Sequence, residues 1–141
     1  MIQRIQTLWL LLAAACGFTM TKLPLFSATL GDATIRELIA TESLLFYAVV
    51  IVVAALALVT IFLFKNRPLQ LRLTIFGIIA SIGIIALEVY EIGEFKTANA
   101  ILSGSYQWGG LLPIFMLIFF FMAARGIRKD QKLVKSLDRL R

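Results

Sequence analysis

Three observations predict an all-α membrane fold: an antiparallel four-helix transmembrane bundle with a cytoplasmic amphipathic C-terminal helix extension. Four stretches of the 141-residue chain are apolar over lengths approaching a bilayer's thickness. Hydrophobic residues make up 60% of the chain, above the roughly 45–50% of soluble domains, so lipid must solvate part of the surface. The 14 Lys and Arg residues gather almost wholly on one side of the topology that the four stretches define. Little remains besides three connections and a tail, so residues 1–141 are expected to form one domain.

The first span is read from about Thr7 to Phe26, with Lys22 snorkelling to the headgroups and Pro24 ending or kinking the helix. Leu44 to Phe64 is an uninterrupted apolar run and the clearest span. Leu73 to about Ile92 is the third, holding Gly77, Ala80, Ser81 and Gly83, with Glu88 near its end. Trp108 to Ala124 is short of the roughly 20 residues that a perpendicular helix needs, so the fourth helix is expected to continue into the basic tail, 125–141.

Arg4, Lys65, Arg67, Arg72 and seven basic residues after Ala124 lie on one side, against Lys22, Arg36 and Lys96 on the other. The positive-inside rule then puts both termini and the Lys65–Arg72 loop in the cytoplasm. The outer loops are slightly acidic, and Tyr90, Tyr106 and Trp108 sit at the level of an outer aromatic belt.

The chain has no histidine and one cysteine, which argues against a zinc, haem or di-iron site and precludes an intramolecular disulfide. No catalytic, cofactor-binding or metal-ligating residue is assigned. Leu12-Ala-Ala-Ala-Cys16-Gly17 approaches a lipoprotein cleavage box. Ala13 stands where leucine is preferred and Arg4 is the sole basic residue ahead of it, so an uncleaved span with a buried Cys16 is favoured.

Two sets of residues are candidate sites. Drawn as a helix, the tail puts Gly126, Leu133, Val134, Leu137 and Leu140 on one side and Arg128, Lys132, Lys135 and Arg139 opposite. Together with Arg125, this basic amphipathic helix suits anionic inner-leaflet lipids or docking to another inner-membrane or cytoplasmic protein, against the plainer reading of a positive-inside anchor. Asp130 and Asp138 interrupt the charge, and no specific nucleic-acid binding is expected. The second set is Glu88 and Glu91, which with Glu94 recur every three residues on a broad face of the third helix. Glu88 lies about 23 Å above Leu73, near the outer interface. It reads either as a solvated helix-end acid or as a bundle-facing carboxylate paired with Lys22 or Lys96.

Gly77 and Ser81 form a small-xxx-small pair, and Ala13, Ala14 and Gly17 would allow close approach on the first helix. Phe115, Phe119, Phe120 and Phe121 read as a lipid-facing surface or a helix contact. Thr34 and Glu37 have capping-box spacing, which predicts a short helix within Leu30–Ser43; a hairpin turning at Gly31-Asp32 is the competing reading.

The start Met1-Ile-Gln-Arg-Ile-Gln-Thr7, the turn Lys65-Asn-Arg-Pro-Leu-Gln-Leu-Arg72 and the ending Arg125 to Arg141 resemble domain-of-unknown-function family 4293, small four-span inner-membrane proteins of the Bacteroidota. The resemblance covers the whole chain and implies a bacterial inner membrane. It carries no activity or catalytic residue, and position 126 is glycine where it implies alanine. The leading expectation for function is a non-catalytic accessory or scaffolding subunit of a membrane assembly. The alternative is a small ion-coupled carrier acting as a homo-oligomer. A lipid-acting enzyme would have only Glu88, Glu91, Ser103, Ser105 or Tyr106 to draw on, none with a recognisable partner.

Overall fold

A computed structural model describes residues 2–99 and 101–138, with side chains for 5–99 and 101–136. Four helices run antiparallel: α1 (Ile2–Met20), α2 (Leu44–Phe62), α3 (Arg67–Ala98) and α4 (Trp108–Asp138). Three strands, β1 (Pro24–Leu30), β2 (Ile35–Ile39) and β3 (Ile101–Tyr106), make a small antiparallel sheet in the order β2-β1-β3. All three lie at the end of the bundle where α1 and α3 finish and α2 and α4 begin. The opposite end holds Lys65, Arg67, Arg72 and the basic tail.

Helices α2, α3 and α4 are long and apolar enough to cross a membrane, and at most a third of each apolar window is buried inside the bundle. The unburied positions are leucines, isoleucines, valines and phenylalanines such as Val52, Phe76, Ile82 and Ile118, a surface that lipid satisfies and water does not. Helix α1 is 19 residues, about 28 Å, and lies against both α2 and α4. Leu10, Ala13, Ala14 and Met20 from α1 are fully buried among Phe46, Val50, Ala57, Ile84, Met116 and Phe120. The small residues set helix spacing within the chain. The Phe120 ring lies on Gly77, so that a Cβ there would collide with it, and Ser81 turns its hydroxyl back to the Gly77 carbonyl at 2.7 Å. The phenylalanine cluster divides accordingly: Phe120 is core, Phe119 stacks on Trp9, and Phe115 and Phe121 face outward.

The first span does not run to Phe26. α1 ends at Met20, its last carbonyls taken up by Lys22 N–H to Thr19 O (3.0 Å) and the Thr21 hydroxyl to Phe18 O (2.7 Å). Pro24 then forbids further helix, and the chain continues as β1. The bulge at Leu25 lets adjacent residues bury on different cores. Leu25 enters the helix bundle, while Phe26 and Ala28 cover Leu38, Ile92 and Phe95.

The hairpin occupies this stretch through Ile39, and the only helical turn within Leu30–Ser43 is a short 3-10 turn at Ala40–Glu42, which Thr34 does not cap. Asp32 Oδ1 accepts from both the Thr34 amide (3.2 Å) and hydroxyl (2.7 Å), so Thr34 is engaged in the turn and caps no helix. The segment 97–110 is ordered too: α3 continues to Ala98, and β3 pairs with β1 from Phe26↔Tyr106 to Leu30↔Ile101. The Lys65–Arg72 segment is mostly helix, because Asn66 caps α3 by accepting from Leu69 N–H and Pro68 sits in the first turn. Gln70 closes this end by donating to the Thr60 carbonyl of α2 at 3.2 Å. Cys16 is half-buried within α1.

Ala33 is the one described non-glycine residue with positive φ, 62°. Ala33→Gly should therefore raise stability by up to about 1 kcal/mol in detergent unfolding titrations. Gly77→Leu should lose about 1–3 kcal/mol by forcing Phe120 off α3. The Thr34 hydrogen bonds hold the Asp32 carboxyl below its ordinary value of 3.8. The hairpin gains this stabilisation above that value and loses it as pH falls through the lower folded one, so Asp32→Ala should flatten the acid limb of a pH titration.

Candidate functional site

At the sheet end, Glu88, Glu91 and Glu94 occupy three different surroundings. Each three-residue step turns a helix by about −60°, so the acids fan over about 120° of α3 instead of sharing one partner. Glu88 points inward and is 5% exposed, which overturns the solvated helix-end reading. It meets the first turn of α4 and the start of β1: a Cβ on Gly110 would stand 2.7 Å from Glu88 Oε1 and 2.9 Å from the Leu25 carbonyl oxygen. Gly109 leaves comparable room for the Leu23 and Pro24 carbonyls. Glu88 Oε1 has no hydrogen-bond partner among the described residues.

Neither lysine that the sequence offered as a partner pairs with Glu88. Lys22 is exposed, and Lys96 Nζ lies over the Phe26 and Tyr106 rings, 4.9 and 5.7 Å from their centroids. Glu91 instead accepts from the Ser43 hydroxyl at 2.6 Å, while the same Ser43 oxygen caps α2 by accepting from Phe46 N–H. Ser43 thus ties the beginning of α2 to α3, a role that its N-cap position before Leu44 hinted at.

On the outer face of the sheet, Gln107 donates to Ser27 Oγ (2.6 Å) and Ser105 Oγ (3.2 Å). An amide cannot act as a base, so Ser105 sits in a polar cross-strand ladder and has no activating partner there. Tyr90, Tyr106 and Trp108 are exposed at this end.

At the basic end, α4 passes from Ala124 into the tail without a break. Arg125 is the first charged residue of that helix, and Arg125, Arg128, Lys129, Lys132 and Lys135 are all exposed. Arg67 pairs with Asp130 at 3.3 Å, the one ion pair among the described residues, and it braces the tail against the start of α3. Gly126 faces Gln6 of α1, where a Cβ would stand 2.9 Å from Gln6 Cγ, which gives the glycine at this position a packing role. Leu133 and Val134 stay exposed at 44% and 39%. The side chain of Leu137, and all of Arg139 and Leu140, lie outside the described residues.

Ser43→Ala should cost about 2 kcal/mol by removing the cap and the hydrogen bond to Glu91 together, and Glu91→Gln, which keeps an acceptor, less than about 1 kcal/mol. Thermal melts in detergent check the pair.

Comparison with curated proteins found no match, and neither did comparison with solved structures. A family model, however, aligns with residues 2–140, nearly the whole chain. The protein therefore belongs to DUF4293, a domain-of-unknown-function family.

Proposed function

We propose that the protein is a multi-pass inner-membrane protein that serves as a non-catalytic accessory or scaffolding subunit, with its tail as the docking element. In this reading α1 is a fourth crossing, because it packs against both α2 and α4, with Gln6 at one end on Gly126 and Met20 at the other in the core. Both termini face the cytoplasm, supported by eleven basic residues at one end against three at the other.

The observation that carries the proposal is the continuity of α4. Its 31 residues measure about 46 Å, where a hydrocarbon core takes about 30 Å, so the helix stands out of the bilayer as a rigid post. An anchor needs charge alone. This post also presents Leu133 and Val134 uncovered, one turn beyond the ion pair that fixes its direction. Crosslinking in native membranes, followed by mild solubilisation, should recover a stoichiometric partner with the full chain and lose it on truncation after Gly126. Recovery of the protein alone from both would overturn the proposal.

The second reading, a small ion-coupled carrier working as a homo-oligomer, is favoured by one observation: Glu88 is buried with an oxygen that has no hydrogen-bond partner among the described residues. It predicts saturable uptake in proteoliposomes that Glu88→Gln abolishes and tail truncation spares. The accessory reading predicts that Glu88→Gln leaves partner recovery unchanged.

A further inference from the structure

The described basic residues of the tail do not ring the helix. Arg125, Arg128, Lys132 and Lys135 recur at intervals of three and four, which places them on one strip of α4. That strip opens onto a groove between α3 and α4 of about 540 Å³. Lys129 joins the same wall, Gln131 adds an amide, and no acidic residue lines the groove. Asp130, the nearest carboxylate in sequence, is taken by Arg67. The floor is apolar and belongs to the membrane-facing part of the bundle, with Ile78 from α3 and Phe121 and Ala124 from α4.

A second opening of about 440 Å³ continues the groove toward the start of α3 and shares Gln131 and Lys135 with the first. Its apolar wall is Leu71 and Ile75, in line with Ile78 at helical spacing, faced by Val134 of α4, and its α3 cations are Arg67 and Arg72. The two openings make a single track. Apolar side chains run along its membrane side, and cations stand where the apolar segment of α4 gives way at Arg125.

We infer that this groove is a binding site for an anionic phospholipid carrying two phosphates, the chemistry of a diphosphatidylglycerol. Charge complementarity selects the head group: the cations from Arg125 to Lys135 extend over about 15 Å of helix, more than one phosphate can touch. The apolar floor selects a lipid over a free phosphate, because Ile75, Ile78 and Phe121 offer an acyl chain a path that a soluble anion has no use for. Leu133 lines neither opening, whereas Val134 borders the second, so a partner seated on Leu133 and a lipid in the groove use different faces of the tail. The inference rests on the chain crossing a membrane, and is independent of what the tail docks to.

The test uses the full chain, purified in mild detergent, delipidated, and titrated with diphosphatidylglycerol, phosphatidylglycerol or inorganic pyrophosphate under native mass spectrometry. The expected result is one diphosphatidylglycerol per chain, held more tightly than phosphatidylglycerol. The triple variant Arg125→Ala, Arg128→Ala, Lys132→Ala should weaken it more than about tenfold. A control removing three charges outside the groove, Lys22→Ala, Lys65→Ala and Lys96→Ala, should change it less than about twofold. Ile78→Asn should weaken the lipid and leave pyrophosphate unaffected. Equal losses in the two triple variants would show attraction by net charge alone and overturn the site. Pyrophosphate binding as tight as the lipid would overturn the lipid assignment. Leu133→Ser, outside both openings, should retain the lipid even where partner recovery fails, which separates this inference from the docking proposal.

Discussion

The sheet end of the molecule depends on what happens to backbone polar groups at Pro24. A helix that stops at the edge of an apolar layer leaves carbonyls and amides that need partners. Thr21 and Lys22 satisfy the last turn of α1, and Pro24 prevents another. Extended chain is then the economical solution, and β1 has strands on both sides because it is the central one. The carbonyls of Leu23, Pro24 and Leu25 come to rest on Gly109 and Gly110, and Gln107 N–H donates to Leu25 O at 3.0 Å. The start of α4 is set by that contact. So is the burial of Glu88, which lies in the angle between α4 and β1.

The two ends of the bundle are held by different chemistry. The sheet end is closed by strand pairing, by the Phe26, Leu38, Ile92 and Phe95 core, and by Ser43 bridging α2 to Glu91. The basic end is closed by side chains reaching across helices, with Gln70 on the Thr60 carbonyl, Arg67 on Asp130 and Gln6 on Gly126. Strand pairing covers the ends of α1 and α3 and the beginnings of α2 and α4. Side-chain contacts leave the far end of α4 free to project. This asymmetry is why the exposed charge and the uncovered leucine and valine collect on the tail.

The sequence by itself determined the membrane character, three of the long helices, the charge asymmetry and the continuity of the fourth helix into the tail. Each depends on composition or on helical period, which are local properties. The tail cations were legible for the same reason. Only the tertiary structure decided that Phe26 belongs to a sheet. Its apolar neighbours match a helix as well as a strand, and the alternation in Phe26-Ser27-Ala28 is too short to arbitrate. β3 carries no alternating apolar residues at all. It is a strand because β1 offers an edge to pair with, and Gly104 leaves the room that the Phe26 ring occupies, where a Cβ would collide with it. The different fates of Glu88, Glu91 and Glu94, and the groove that gathers the tail cations with Ile75 and Ile78, were decided in the same way. Burial and pairing depend on which elements meet in space, and one-dimensional spacing carries no record of that.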